Sequence, residues 1–393
     1  MTQHEKIKDN ISSKFIGLRK KEVVNLLFGW LTNENFPLVL YQNPGEGPLL
    51  MTQFGKMKSF DGGLEGLGEG FVIASYQGPQ YFLEAEMIYH LESGELQFHP
   101  AREIPDFSEL KGESIGYYSS EVAPSQTAKD EFIQAIEHIV HATQTTDLLK
   151  VVPSKIKLIN QGYKDLDLIN AFFKLCESYP NALISLVTTP ETGTWLGASP
   201  EVLIDVEDAK KFVTMSLAGT QRFNKDLPLH EVPWTQKEIE EQAMVSRYII
   251  NRFKEIRLRE FVEVGPRTVQ AGNLVHLCST FTVDMVETNF PDLGSVMLKL
   301  LHPTSAVCGM PKKLAQDHLE KVEMSQRRLY AGFLGPVNVN NGIHLYVNLR
   351  CMEVFEHQSA LHAGAGITQY SIAEDEWLET EMKCNTLLQI INT

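Results

Sequence analysis

GFLGPVNVNNGIHLYVNLRCMEV, residues 332–354, reads as two strands, 332–339 and 343–354, folded back through Asn340-Asn341-Gly342. Asparagine and glycine tolerate the positive φ that a tight hairpin turn needs. Apolar runs outside it predict further strands at 148–152, 182–189, 201–206, 211–217 and 274–286. Helical spacing predicts helices over 127–146, 165–178 and 236–261, the first opened by Thr127 and Asp130 as a capping box. Strands and hairpins dominate, and the helices do not alternate with single strands. The pattern therefore predicts an α+β fold with large, mostly antiparallel sheets and flanking helices, not a doubly wound parallel one.

The glycines between Pro44 and Gly78 read as turns. A weak boundary falls near Ala123-Pro124-Ser125. The expectation is one intertwined domain over 1–393. Residues 1–123 would supply peripheral strands and 124–393 the motif-bearing part.

Of 393 residues, 43% are hydrophobic and 22% charged, as in ordinary globular chains. No apolar run is long enough to span a bilayer, and the polar start, Met1 to Ser13, does not read as a signal peptide. Five scattered cysteines without a CxxC pair suit reduced thiols in the cytoplasm. The net charge of −15 offers no basic stripe for phosphates, so neither nucleic acid nor a membrane is the expected partner. An anionic small molecule would need cations placed locally against that field.

Such cations can be found. The C-terminal segment begins Ala363-Gly364-Ala365-Gly366-Ile367 and continues into a predicted helix, capped by Ser371, with Glu376, Glu379 and Lys383 on one face. Glu238 and Glu241 form a second carboxylate pair three apart on the 236–261 helix. Four carboxylates on two helices suit a hard dication such as Mg²⁺, held directly and through water. The plainer alternatives are a solvated face with one Glu379–Lys383 ion pair and an acidic first turn opposing a helix dipole. Lys150 sits in an apolar strand, where a lysine is costly unless paired or functional. Glu201 follows a tight turn and, if enclosed, would keep a proton and serve as an acid. His276 and Arg350 also interrupt apolar strands; a guanidinium clamps carboxylates well. Tyr330 follows Arg327 and Arg328, a packed aromatic by default.

These segments, in this order, resemble the chorismate-utilising enzymes: isochorismate synthases, salicylate synthases and anthranilate synthase component I. The likeness runs from about residue 120 to the end, through Lys150-Val151-Val152, 197–201, 217–220, 237–241, 274–277, 302–311, 330–332, 349–351, 364–367 and 376–383. It implies that Glu241 and Glu379 contact Mg²⁺ directly, with Glu238 and Glu376 acting through water. Gly219, Thr220 and Lys383 would serve the ring carboxylate of chorismate. Arg350, Tyr330, Gly364 and Gly366 would hold the enolpyruvyl carboxylate, with His276 against the substrate. It further implies that Lys150 activates water for attack at C2 and Glu201 protonates the departing C4 hydroxyl. Lysine at 150 disfavours anthranilate synthase, Ala218 disfavours a covalent-lysine aminodeoxychorismate synthase, and Ala306 favours isochorismate synthase over salicylate synthase. Gln242 and Pro153 depart from the family pattern. The implied protein is a monomer or weak homo-oligomer serving menaquinone or siderophore synthesis. A non-catalytic chorismate-binding subunit is the alternative of another class.

Overall fold

Asn340 and Asn341 take φ of 51° and 59° and join β17 (Phe333–Val339) to β18 (Gly342–Val347) as the sequence predicts. The second predicted strand, 343–354, is not continuous. It breaks at Asn348-Leu349-Arg350 and resumes as β19 (Cys351–Val354) in a different sheet. The structure is a computed structural model describing residues 3–99, 104–107, 115–119, 122–323 and 325–392.

Two nine-stranded sheets and a small ribbon carry the described strands. The first runs β7 (Glu95–Phe98), β6 (Met87–His90), β2 (Leu49–Thr52), β1 (Leu38–Gln42), β10 (Leu183–Thr189), β11 (Gly193–Ser199), β19, β20 (Ser359–Gly364), β9 (Ser154–Ile159). The second runs β14 (Val262–Ala271), β15 (Leu274–Asp284), β13 (Lys211–Arg222), β12 (Val202–Glu207), β18, β17, β4 (Gly70–Ala74), β5 (Gln80–Glu84), β3 (Lys58–Ser59). The ribbon pairs β8 (Lys150–Val151) with β16 (Gly309–Met310). Neighbouring strands are antiparallel, so the expected α+β class holds.

Strand alternation builds the layers. Val39 and Tyr41 of β1 face the second sheet, where Tyr41 meets Phe71 of β4 at 5.1 Å between ring centroids. Leu38 and Leu40 point the other way, into a core shared with α1 (Gln3–Phe15), α2 (Lys20–Asn33), α4 (Leu168–Ser178) and α8 (Ala373–Ile391). The first sheet is thus covered on both faces, which is why its strands read as unbroken apolar runs. α3 (Lys129–Thr145) packs on α8, α5 (Gln236–Glu255) on β13 and β15, α6 (Leu293–Leu301) on β12, and α7 (Lys312–Val322) beside the ribbon. Among the described residues no helix is long and apolar enough to cross a membrane.

Three local expectations fail for identifiable reasons. The 236–261 helix ends at Glu255, because Arg257 turns to φ 59° and the chain enters the exposed strand β14. Thr127 does not cap α3; its hydroxyl accepts from Ile156 N, and Ala128 is the N-cap. Ser371 does not cap α8 either, since its hydroxyl accepts from Thr368 N and Ile372 is the N-cap.

A buried ion pair ties the short ribbon to its surroundings. Arg327 donates to Glu323, to Val152 O at 2.6 Å and to Val307 O at 2.6 Å. Glu323 also accepts from Ser154 N at 2.7 Å. Pro153, a departure from the family pattern, lies between these anchors, where the chain leaves the ribbon for β9 and needs no N–H. Arg327→Met strands the Glu323 carboxylate and frees two carbonyls. Breaking such a pair costs roughly 3–5 kcal/mol, so chemical denaturation should show a loss of that order. A change under about 1 kcal/mol would mean the pair anchors nothing.

Candidate active site

The chain changes sheets at two neighbouring places. β11 of the first sheet becomes β12 of the second through Pro200-Glu201, and β18 of the second becomes β19 of the first through Asn348-Leu349-Arg350. The corners are hydrogen-bonded to each other: Val347 N donates to Glu201 O at 2.9 Å and Ala198 N to Arg350 O at 3.1 Å. Arg350 holds φ 49°, the left-handed bend of the corner. Glu201 and Arg350 both line one cavity as a result.

Glu201 is buried. Burial pushes its carboxyl up to about 8, against the pull of Lys150, Arg350 and Lys383. It therefore carries a proton at neutral pH, as an acid must. Lys150 lies fully buried on the ribbon, 2.8 Å from Glu241 Oε1. Gly366 makes that approach possible: a Cβ there would fall 2.2 Å from Glu241 Oε1 and 2.8 Å from Lys150 Cε. Val151 and Ile367 exchange backbone hydrogen bonds and fix the two segments side by side.

The opposite wall comes from a bulge. β13 loses register with β15 between Ala218 and Gln221, which exposes Gly219 and Thr220 to the cavity. His276 Nδ1 lies 2.7 Å from Gly219 O, so Nδ1 carries the proton and donates. Its Nε2 is then free to accept from Arg350 Nη2 at 3.3 Å. Burial, then Arg350, push His276 down to about 3, so the ring is neutral. Tyr330, Gly364 and Lys383 complete the lining, and Lys383 donates to Gly364 O at 2.8 Å.

The acidic residues are brought together less evenly. Glu376 is buried and paired with Lys237; Glu379 pairs with Lys383 at 2.6 Å. The Glu379–Lys383 pair belongs to a cavity wall, not to a solvated helix face. Burial works against the Lys237 charge, but Glu376, Glu379 and Glu241 outweigh it and hold the amine above its usual range. Burial and Glu379 push Glu376 up to about 7. Glu238 is turned elsewhere: Oε2 accepts from Thr235 N at 2.8 Å in a capping box, and Gln221 Nε2 donates to it. Among the described residues, no three acid, histidine or cysteine side chains stand close enough together to hold a metal. The donor set still fits a hard dication. The fold already seats one cation, the Lys237 ammonium, in the field of three carboxylates, and Glu376 Oε2 is buried without a partner.

Gln242 replaces a residue the resemblance would make histidine. Its Nε2 lies within hydrogen-bond distance of the Ser216, Ser246 and Ser279 hydroxyls, and its two N–H groups are shared among them. Sequence reasoning misses two residues of the site and one local role. Lys237 lies inside the 237–241 motif, where nothing in the spacing marks it as a partner for Glu376. The Glu238 capping box is legible as Thr235-x-x-Glu238, a signal that competes with the carboxylate-pair reading. His362, two residues before Gly364, lines the cavity and gives no sequence signal beyond a polar residue in an apolar strand.

An enclosed site with a protonated acid, a buried lysine, a guanidinium and a carboxylate group defines an enzyme acting on a small polyanionic molecule. Residues 85–392 match the model of the family described as chorismate binding enzyme, and the chain belongs to that family. It is 27% identical to isochorismate synthase EntC of Escherichia coli K12 over 286 residues, covering 71% of each chain. It is 25% identical to anthranilate synthase component 1 of Thermococcus kodakarensis, covering 77% of this chain and 71% of that one. Its fold matches menaquinone-specific isochorismate synthase MenF of Escherichia coli with a TM-score of 0.70 at 18% identity, over 93% of this chain and 91% of the other.

The raised Glu201 value sets a pH dependence of stability. Between its ordinary value of 4.5 and about 8 the folded state keeps a proton that the unfolded chain has lost. More protons bound in the native state means stability falls as pH rises through that window. Glu201→Gln removes this loss. The variant's melting temperature relative to the unaltered protein should climb steadily from pH 5 to pH 8. A difference that stays flat would place Glu201 among ordinary carboxylates.

Proposed function

We propose that this protein is an isochorismate synthase, converting chorismate reversibly to isochorismate with a bound Mg²⁺. The observation that carries the reading is Glu201, buried in the cavity wall beside Arg350 and in the field of Lys150, where burial raises its carboxyl to about 8. Glu201, in the cavity wall, would supply the acid, and Lys150, buried behind Gly366 and Glu241 at its edge, would supply the base. Lys150 takes a proton from water as the water oxygen bonds to ring C2. The ring double bond shifts, the C4–O bond breaks, and the Glu201 proton leaves with that oxygen. One water enters and one departs, so no oxidant or reductant is needed.

Arg350, Tyr330 and the amides at Gly364 and Gly366 hold the enolpyruvyl carboxylate, and neutral His276 lies against the substrate without adding charge. Gly219, Thr220 and Lys383 serve the ring carboxylate. Glu241 and Glu379 would hold the dication directly, with Glu376 and Glu238 through water, Glu238 by leaving its capping box. The dication supplies charge neutralisation at the ring carboxylate, which answers the problem posed by the acidic chain. The reading takes 1–393 as one chorismate-binding unit, with 1–123 as scaffold, working in the cytoplasm as a monomer or weak homo-oligomer for menaquinone or siderophore synthesis.

Incubation with chorismate and Mg²⁺ tests the assignment, with isochorismate the expected accumulating product. Salicylate with pyruvate would instead assign a salicylate synthase; Ala306 in the cavity wall supports the former. Chorismate binding without turnover would indicate a non-catalytic subunit, whereas turnover that Lys150→Ala abolishes excludes one. Glu379→Gln should lower Mg²⁺-dependent turnover at least a hundredfold while the melting temperature moves by only a few degrees. Near-normal activity in that variant would remove Glu379 from the metal site.

A further inference from the structure

His362 lies on β20, two residues before Gly364 and so on the same face of the strand. Its side chain lines the cavity beside Gly364, Tyr330 and Arg350 and is 4% exposed. The ring is stacked on Tyr330 at 5.4 Å with a 21° interplanar angle. Trp195 also lies at 5.4 Å from it, tilted by 30°. Two aromatic neighbours fix the plane of the imidazole. Yet Nε2 is buried and has no hydrogen-bond partner.

A buried nitrogen without a partner is costly, and a rigid one cannot turn to find another. A neutral imidazole carries one N–H and one lone pair. Burial, then Arg328 and Arg327, push His362 down to about 3, so the ring adds no charge. Its neighbours in the wall are the groups assigned above to the enolpyruvyl carboxylate. We propose that His362 is a substrate-binding, specificity-determining residue, whose free nitrogen donates a hydrogen bond to the carboxylate of the enolpyruvyl side chain. The stack also links recognition to Tyr330, because the ring that bonds the ligand holds the Tyr330 ring in place.

His362 also borders a second hollow, lined by Phe132, Pro153 and Glu323. The test must therefore show which side the nitrogen serves. The inference rests on the isochorismate synthase reading, and the experiment separates the two. Trp195, whose ring lies 5.4 Å from that of His362, provides an intrinsic fluorescence signal for chorismate titrations in the presence of Mg²⁺. His362→Phe keeps a stacked ring and removes both nitrogens. It should raise KM and the chorismate Kd about tenfold or more, with kcat within about twofold, because the lost bond is made in ground and transition states alike. His362→Gln restores an N–H near the Nε2 position and should recover part of the affinity. Inhibition by shikimate, which has a ring carboxylate but no enolpyruvyl group, should be unaffected by either change. Unaltered chorismate affinity in a folded His362→Phe protein overturns the proposal and assigns the nitrogen to the second hollow. An equal loss for shikimate overturns it as well, by showing general damage to the cavity. If His362→Phe does not fold, an unchanged Kd in His362→Ala, or a His362 ring ¹⁵N resonance that does not shift on adding chorismate, overturns it equally. Failure of the unaltered protein to bind chorismate would sink the functional reading instead.

Discussion

Two peptide segments that pass from one sheet to the other organise this molecule. A strand leaving its sheet abandons a ladder of hydrogen bonds, and each freed N–H and C=O must find another partner. Here the corners at Pro200-Glu201 and Asn348-Leu349-Arg350 satisfy one another. Leu349 N donates to the Ser199 hydroxyl, Asn348 N to Gly332 O, and the Asn348 side chain to Leu329 O. The same hydrogen bonds that repair the sheets fix the acid and the guanidinium in one cavity. The geometry of the cavity and the accounting of backbone hydrogen bonds are therefore one problem, solved at one place.

Electrostatics explains the rest of the arrangement. Three lysines, Lys150, Lys237 and Lys383, each hold one glutamate on the surrounding elements. Buried charges of either sign are costly alone, and pairing makes them tolerable. The pairs leave the cavity locally near neutral inside a chain of net charge −15. The proposed dication and dianion would preserve that balance by entering together, whereas either alone would upset it.

The sheets are legible in the sequence because their chemistry is local. Asn340-Asn341 announces its turn, and strands covered on both faces read as apolar runs. The corner at Asn348–Arg350 is not legible as a break, since VNLRC continues an apolar alternation and nothing in it forbids extension. Its departure is imposed by Ser199, Gly332 and Glu201, distant in sequence. For the same reason the candidate residues can be picked out singly but not grouped by spacing alone. Glu238 and Glu241 share a helix face, yet Thr235 and Gln221 take Glu238 for the cap, leaving Glu241 to face Lys150. His362 escapes notice because its meaning lies in a missing partner, which only three dimensions reveal.

The strands from the first hundred residues do more than extend the sheets. β1 lies against β10, and β4 against β17, each covering the open side of a long, wholly or largely apolar strand. Without them both strands would present bare rows of amide and carbonyl groups, the template on which other chains pair and aggregate. β1 and β4 thus shield β10 and β17 from pairing with other copies of the chain. That role asks of β1 and β4 only that their backbones keep pairing with those two strands, which is the demand placed on a cover and not on a site.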